Sequence, residues 1–181
     1  MKLHFVRHGL TPHNKLGLTN GQTIDESLAE EGEAQAHQLA EIVPKNVRHI
    51  YSSDLLRARQ TAAIINQKLG VGLTFHPELR EIDLGRLTGK SWKQINELMG
   101  RDYRKESYLT HQYDFRPWGG ESAEAVLERI KKFLAQAKKI GQESLVVSHG
   151  GIIRTVHHLL SGKNLSGGAI DNAGIYSFDI Y

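Results

Sequence analysis

The stretch LHFVRHG, from Leu3 to Gly9, decides the fold, because an apolar run of strand length ends there in arginine, histidine and glycine. The stretch LVVSHGG, from Leu145 to Gly151, repeats this arrangement near the other end of the chain. In α/β sheets, ligands collect at the carboxyl ends of the strands. We therefore expect two strands that bring His8 and His149 to one edge of a sheet. The arginine beside the first histidine points to a phosphohistidine site.

Between these two stretches, the patterns of strand and helix alternate. A helix from Asp54 to Lys68 is predicted by apolar residues three and four apart, with Ser53 or Asp54 available to cap it and Gly70 to end it. Such alternation indicates an α/β fold, in which helices flank a mostly parallel central sheet on both faces. The other predicted elements are strands from His49 to Ser52, Val71 to Phe75 and Gly174 to Ile180, and helices from Trp92 to Met99, Ser122 to Ile140 and Ile152 to Leu160.

Length and composition bound the class of protein. A chain of 181 residues, 39% of them hydrophobic, is typical of one soluble domain, here residues 1–181. No apolar run approaches the roughly 20 residues that span a bilayer, and the first segment has the pattern of a strand rather than of a signal peptide. We expect a cytoplasmic protein with no membrane partner. The absence of cysteine excludes disulfides, thiolate metal sites and a cysteine nucleophile.

The charge pattern favours a small anionic substrate over a nucleic acid. The formal net charge is +3, and the acidic residues 30–33 alternate along the chain with basic pairs at 131–132 and 138–139. A nucleic-acid surface needs basic residues clustered on one face. A few arginines that hold a small phosphorylated compound fit this pattern better. Composition leaves the oligomeric state open between monomer and homodimer.

His8 is the candidate nucleophile. A histidine that attacks phosphorus divides one difficult phosphoryl transfer into two easier steps. One ring nitrogen must be unprotonated for this, and neighbouring cations favour the neutral ring. We expect Gly9 to allow unusual backbone angles at the turn and a close approach of the ligand.

Arginines are the candidate phosphate ligands, because their planar fork binds two phosphate oxygens at once. Arg7 is adjacent to His8, and Arg57 lies in the first turns of the helix that follows the strand at residues 49–52. Arg59 lies two positions further and faces a different side of that helix. Spacing alone leaves open which of the two arginines faces the site.

Transfer also needs a proton donor for the leaving oxygen and a base for water. Glu81 and Asp83 are the candidates, and the residues alone do not choose between them. Burial beside a bound phosphate would raise the pKa of such a carboxyl group. Taken singly, each of these charged residues is more often solvated, but two histidines at equivalent strand ends favour the catalytic interpretation.

Together these segments resemble the histidine phosphatase superfamily, also called the phosphoglycerate mutase-like family. The resemblance covers nearly the whole chain in the family's order, and the ordered set is far more specific than Arg-His-Gly alone. The matching stretches are VRHGLT from Val6 with Asn14, YSSDLLRA from Tyr51 with Thr61-Ala62, LRE from Leu79, GGES from Gly119 and VSHGG from Val147.

The resemblance implies a three-layer sandwich and a phosphohistidine on His8. It implies that Arg7, Arg57 and His149 form the phosphate pocket, and it selects Arg57 over Arg59 and Glu81 over Asp83. Further substrate-binding positions implied by the match are Asn14, Asn20, Gly21 and Gly150. The family hydrolyses its substrates without a metal or an organic cofactor, so neither is expected here.

Three departures from the family pattern are visible. Ala29 stands where relatives usually have a serine or threonine helix cap, a change that typically costs about 1 kcal/mol unless Ser27 or Asp25 substitutes. Thr88 stands where many relatives have glutamate, which affects the expected substrate preference. Asn20 stands where many phosphatase relatives have glutamine.

The leading hypothesis is a phosphomonoesterase for small phosphorylated metabolites, similar to α-ribazole phosphatases and broad-specificity phosphatases. The alternative is a 2,3-bisphosphoglycerate-dependent phosphoglycerate mutase, although such mutases carry a longer basic insertion before the second histidine. A non-catalytic phosphate-binding domain is disfavoured by the complete set of motif residues. A metallophosphatase is disfavoured because the arginines would repel a divalent cation.

The segment 101–120, called the cover segment here, is the least regular part of the chain. We expect it to cover the pocket and to select the non-phosphate part of the substrate; packing of its aromatic residues onto the core is the competing interpretation. Its basic residues could reach a second anionic group of the substrate. The aromatic residues are Tyr103, Tyr108, Phe115 and Trp118, and the basic cluster is Arg101, Arg104 and Lys105.

Overall fold

The computed structural model describes residues 1–165 and 170–180, which build one mixed sheet. The strands follow the order β3-β2-β4-β1-β5, all parallel except for β5, which runs antiparallel to β1 at the edge. The predicted α/β fold with a mostly parallel sheet is confirmed. The strands are β1 Lys2–Arg7, β2 His49–Ser52, β3 Gly72–Phe75, β4 Ser144–Ser148 and β5 Ile175–Asp179.

Helices cover both faces of this sheet, as predicted. The described helices are α1 Pro12–Lys15, α2 Glu30–Ile42, α3 Leu56–Leu69, α4 Trp92–Met99, α5 Ala123–Ile140 and α6 Gly150–Ser161. Short 3₁₀ turns occur at Pro77–Leu79, Gly85–Leu87 and Arg116–Trp118, and a π-helical turn at Arg104–Tyr108. None of the helices in residues 1–165 and 170–180 is long and apolar enough to cross a membrane.

Alternation along the strands divides the core into two layers, because successive side chains of a strand point to opposite faces. In β1, Phe5 packs with Phe133 of α5 in one buried cluster, whereas Val6 packs in a second cluster with Leu39 of α2 and Ala62 of α3. Helices α2 and α3 therefore cover one face, and α5 and α6 cover the other. This arrangement is the expected three-layer sandwich.

The start of α3 differs from the sequence prediction. The helix begins at Leu56, and the carboxylate of Asp25 accepts from the Leu56 amide at 2.6 Å. Asp54 does not cap it, because Asp54 forms a two-pronged ion pair with Arg80 at 2.7 and 2.6 Å. The predicted end is confirmed: Gly70 adopts the left-handed conformation, with φ of 62°, that favours glycine at this position.

The expectation that Gly9 adopts unusual backbone angles was wrong. Gly9 is not among the glycines with positive φ. A Cβ at this position would lie 2.3 Å from the Gly32 carbonyl oxygen, so glycine allows α2 to pack closely behind His8. Helix α2 starts after Ala29 without a side-chain cap, and Asp25 does not substitute because it serves α3.

Candidate active site

The two histidines predicted to meet do so at the carboxyl edge of the sheet. Strands β1 and β4 are parallel neighbours in which Arg7 pairs with Ser148, and the His8 amide donates to the Ser148 carbonyl at 2.9 Å. The rings of His8 and His149 lie 5.1 Å apart between centroids, and both residues are buried. The register of two adjacent strands therefore sets the distance between these side chains.

The hydrogen bonds of His8 define its tautomer. Nδ1 lies 2.7 Å from the Gly9 carbonyl oxygen, which can only accept, so Nδ1 carries the proton. Nε2 accepts from Nε of Arg57 at 3.3 Å. The neutral ring thus presents the lone pair of Nε2 to the side where Arg57 lies.

Burial and charge keep both rings neutral. The pKa of His8 is lowered well below its usual value, first by desolvation and then by Arg57 and Arg7. The pKa of His149 is lowered in the same direction, again by desolvation first, with Arg57 as the next cause. An uncharged His8 is the form that can act as a nucleophile.

Arg57 is fully buried and ties the site to the loop after α1. Its Nη1 and Nη2 atoms donate to the carbonyl oxygens of Ile24 at 3.0 Å and Gly21 at 2.8 Å. Burial lowers the pKa of Arg57 to about 10, with Glu81 opposing the decrease. Arg59 instead lies over the ring of Phe75 at 5.0 Å, outside the cavity.

Two further nitrogen atoms of the site have no hydrogen-bond partner among the described residues. His149 Nε2 lies 2.9 Å from the Ser53 hydroxyl, whereas its Nδ1 is buried and unpartnered. Arg7 donates through Nη1 to the Ile170 carbonyl at 2.5 Å, whereas its Nε is also buried and unpartnered. Arg7 lines the cavity and the His149 ring packs against His8, so both atoms belong to side chains of the candidate site.

Glu81 lies against the first turn of α6. Its Oε1 accepts from the Ile82 amide at 2.9 Å and its Oε2 from the Gly151 amide at 3.2 Å. A Cβ at Gly151 would lie 2.4 Å from Oε1 of Glu81, so this close approach requires glycine. Asp83 is not in the cavity wall, since its carboxylate accepts from the Gly85 amide at 2.8 Å within a turn.

A cavity of about 770 Å³, counting the part that is open to solvent, is lined by all of the predicted site residues except His149. The buried ring of His149 packs against that of His8. Arg104 and Tyr108 of the cover segment also line the cavity, as does Arg154, which was not predicted. The predicted residues in the wall are Arg7, His8, Asn14, Asn20, Gly21, Arg57, Glu81 and Gly150.

Asn14 and Asn20 form a hydrogen-bonded network at one wall. Asn14 donates to the Asn20 side chain at 3.0 Å, and Asn20 donates to Glu26 at 2.6 Å. Asn172 bridges Asn14 at 3.2 Å and the His8 carbonyl at 2.9 Å. Asn172 was not predicted, because it reaches the site through the segment of the chain that precedes the antiparallel strand β5.

Arg129 of α5 was also missed, and it holds the segment that carries Glu81. It donates to the carbonyl oxygens of Glu78, Arg80 and Glu81 at 2.5, 2.7 and 3.2 Å. It also pairs with Glu121 at 2.9 Å, and Glu121 accepts from the Asp83 amide at 2.9 Å. We call Arg129 and Glu121 the clamp.

The cover segment contributes residues both to the core and to the cavity wall. Tyr103 and Phe115 are buried in the core, as the packing interpretation predicted, whereas Tyr108 lines the cavity beside Trp92, with ring centroids 4.5 Å apart. Thr88, one of the departures from the family pattern, lies against Gly21. A Cβ at Gly21 would lie 2.7 Å from the Thr88 hydroxyl oxygen.

The donors in this site suit an anion rather than a divalent cation. No group of three or more His, Asp or Glu side chains in the described ranges is arranged to hold a metal ion. The side chains beside the His8 ring include the guanidinium of Arg57 and a second imidazole, that of His149. Such donors are complementary to phosphate oxygens.

This geometry defines a phosphate-handling α/β protein, and comparison with known sequences identifies the family. The family model for the histidine phosphatase superfamily (branch 1) matches residues 3–181. The chain therefore belongs to the histidine phosphatase superfamily, and the resemblance seen in the motifs is confirmed.

Individual relatives include both phosphatases and mutases. The chain is 36% identical over 176 residues to a metal-independent phosphoserine phosphatase of Arabidopsis thaliana, covering 94% of this chain and 72% of the relative. It is 35% identical over 153 residues to the probable phosphoglycerate mutase GpmB of Salmonella paratyphi A, covering 83% and 70%. Among solved structures, a mycobacterial glucosyl-3-phosphoglycerate phosphatase in complex with VO3 matches with a TM-score of 0.85 and 26% identity, covering 97% of this chain and 90% of the other. The phosphatase relatives support phosphatase activity.

Proposed function

We propose that this protein is a metal-independent phosphomonoesterase that hydrolyses small phosphorylated metabolites through a phosphohistidine on Nε2 of His8. The observation that carries the proposal is the tautomer of His8. Its Nδ1 proton is held by the Gly9 carbonyl, and its Nε2 lone pair faces the buried Arg57. Membership of the histidine phosphatase superfamily supports the same chemistry.

In the first step, Nε2 of His8 forms a bond to phosphorus as the ester P–O bond breaks. The Glu81 carboxyl group gives its proton to the leaving oxygen, so the product leaves as an alcohol. In the second step, water attacks the phosphohistidine and passes a proton to Glu81. The P–N bond breaks, inorganic phosphate leaves, and the lone pair returns to Nε2.

The cations and amide groups around His8 stabilise the transferring phosphoryl group. Its three equatorial oxygens gain charge in the transition state, and fixed donors stabilise that charge without a metal. We assign this role to Arg7, Arg57, His149 and the amide of Gly150. The unpartnered Nε of Arg7 and Nδ1 of His149 supply donors whose hydrogen bonds form only when phosphate is bound. Asn14, Asn20 and Gly21 complete the wall that receives the substrate.

The test measures phosphate release from p-nitrophenyl phosphate with a chelator present, comparing wild type with His8→Ala and with His37→Ala. His37 lies at an exposed position of α2 and serves as the matched histidine control. We expect chelator-resistant release that is lost only in His8→Ala, together with an acid-labile phosphoenzyme in wild type. Release that survives in His8→Ala, or that the chelator abolishes, would refute the mechanism.

The probable mutase among the relatives makes a mutase the second candidate function. Incubation with 3-phosphoglycerate and 2,3-bisphosphoglycerate separates the two reactions. A phosphatase liberates inorganic phosphate from 3-phosphoglycerate, whereas a mutase forms 2-phosphoglycerate without net release. Opening of the cavity to solvent favours hydrolysis, because water then reaches the phosphohistidine.

A further inference from the structure

The cavity contains two arginines that the phosphoryl-transfer step does not use. Arg104 comes from the cover segment and Arg154 from α6, five residues after His149. Both line the cavity that contains His8 and Glu81. A phosphomonoesterase that needed only to hold one phosphoryl group would not require them.

The guanidinium of Arg104 forms no hydrogen bond with the residues that the structure describes, and its Nε is buried without a partner. Its one side-chain contact of note is with the ring of Trp92, whose centroid lies 5.8 Å from the guanidinium carbon. By contrast, Arg101 points away and pairs with Glu106 at 3.4 Å, and Lys105 is exposed. Of the basic cluster in the cover segment, the cavity receives only Arg104.

Arg154 is buried, and it donates to the Leu165 carbonyl at 3.4 Å. Burial lowers its pKa; the Tyr108 hydroxyl opposes the decrease and the Arg104 cation adds to it. The two guanidinium groups lie in the wall of the same cavity and repel each other. Two like charges held together at a cavity wall are stabilised by an anion that binds between them.

The surrounding wall limits the size and the nature of that anion. Trp92, Leu18 and Ile170 give this part of the cavity an apolar surface, which suits a short carbon chain. A carboxylate is planar and matches the donor fork of arginine. We propose that the substrate of this site, whose hydrolysis is proposed above, is a small phosphomonoester bearing a carboxylate, which Arg104 and Arg154 bind while His8 attacks the phosphoryl group.

The experiment compares 3-phosphoglycerate with glycerol 3-phosphate, because both are primary alkyl phosphates and only one bears a carboxylate. We expect wild type to prefer 3-phosphoglycerate by at least about tenfold in kcat/KM, since charge-assisted hydrogen bonds of a bidentate pair exceed neutral ones. In Arg104→Gln we expect this ratio to fall about tenfold, chiefly through the KM for 3-phosphoglycerate. Lys105→Gln removes the same charge from the adjacent exposed position and should leave the ratio unchanged.

A second measurement does not depend on turnover. Calorimetric titration of His8→Ala with each compound should give tighter binding of 3-phosphoglycerate than of glycerol 3-phosphate, and Arg154→Gln introduced into that protein should weaken only the former. Thermal unfolding of each variant shows whether the change perturbs the fold.

The outcomes separate the two proposals. Release from both compounds with a ratio near one, or a ratio that Arg104→Gln does not lower, would overturn the carboxylate site and leave the phosphatase in place. No release from either compound or from p-nitrophenyl phosphate would overturn the proposed function and, with it, the substrate class. If Lys105→Gln lowered the ratio of the two kcat/KM values as much as Arg104→Gln does, the preference would come from the overall positive charge of the segment. That result would also overturn the carboxylate site.

Discussion

At the scale of single residues, one carbonyl group decides the chemistry of the site. The Gly9 carbonyl holds the proton on Nδ1 of His8, so the reactive lone pair belongs to Nε2. Burial, Arg57 and Arg7 all oppose protonation of the ring. The proposed nucleophile is therefore neutral before any substrate binds.

The first prediction concerns the protonation of His8 in the free protein. Its lowered pKa means that the ring stays neutral until the pH falls well below the ordinary value of about 6.5 for histidine. Nitrogen-15 NMR should show a protonated Nδ1 and an unprotonated Nε2 at pH 7.5 and still at pH 6. The resonances are assigned by their loss in His8→Ala. A titration of Nε2 centred near pH 6.5 would contradict the assigned environment.

The second prediction tests Glu81 as the proton donor. In Glu81→Gln, hydrolysis of alkyl phosphates should slow by about 10²–10⁴-fold, the usual contribution of general acid catalysis, and hydrolysis of aryl phosphates should slow much less. An alkoxide needs the proton, whereas a nitrophenolate leaves without it. Asp83→Asn is the control, since its amide oxygen can still accept from the Gly85 amide. Equal losses on both substrate classes would argue against Glu81 as the acid.

At the scale of elements, Arg129 of helix α5 holds the segment that carries Glu81. In the clamp, Arg129 binds the carbonyl groups of Glu78, Arg80 and Glu81. It contacts backbone rather than ligand, so Arg129 and Glu121 are positioning residues. We expect their effect on the proposed reaction to act through the position of Glu81.

The third prediction follows from that arrangement. Arg129→Met should lower kcat for alkyl phosphates by about tenfold or more, with a smaller effect on aryl phosphates and on KM, because a small displacement of a catalytic group has a large kinetic cost. A cycle with Glu121→Gln should show a coupling free energy of about 0.5–3 kcal/mol in unfolding, as for partners in one network. Lys131→Met, at an exposed position of the same helix, is the control. A uniform loss across both substrate classes would indicate damage to the fold instead.

The elements themselves were predictable where local patterns determine them. The strand ends at His8 and His149 and the helix end at Gly70 follow from apolar runs and glycine. Helix starts were less accurate, because a cap can come from a distant loop. Helix α3 is capped by Asp25, which lies 31 residues before Leu56. No pattern in the sequence around the helix start indicates this contact.

Site residues could be predicted where they lie at the end of a strand or within a recognisable motif. Arg129, Asn172 and Arg154 were missed because each reaches the site by packing of an element far away in the chain. Arg57 could be chosen over Arg59 only through the family resemblance, since helical spacing does not fix which side of α3 faces the sheet edge.

At the scale of the whole molecule, the cover segment is joined to α6 through a pair of histidines. His111 has a φ of 57° and stacks on His158, with ring centroids 4.4 Å apart. Neither nitrogen of the His111 ring has a hydrogen-bond partner among the described residues. Arg154, which lines the cavity, also acts electrostatically on His111.

That contact gives the molecule a pH-dependent stability. Burial lowers the pKa of His111 to about 4, and His158, Arg154 and His157 of α6 add to the decrease. The unfolded chain therefore binds a proton near pH 6.5 that the folded protein does not bind until about pH 4. Since the unfolded state binds more protons in this window, the free energy of unfolding is undiminished above pH 6.5 and decreases as the pH falls towards 4.

The fourth prediction separates the contribution of His111 to this pH dependence from the contributions of the other histidines. His111→Phe keeps an aromatic ring against His158 and cannot take up a proton. Urea unfolding should give a free energy close to that of wild type at pH 7.5, which shows that the stack is kept. Between pH 6 and 5 the variant should lose less stability, because about one proton fewer is taken up on unfolding. His8 and His149 contribute equally to the pH dependence of both proteins. If the free energy of unfolding changed with pH in the same way in the variant and in wild type, the pKa of His111 in the folded protein would have its ordinary value, which contradicts the prediction.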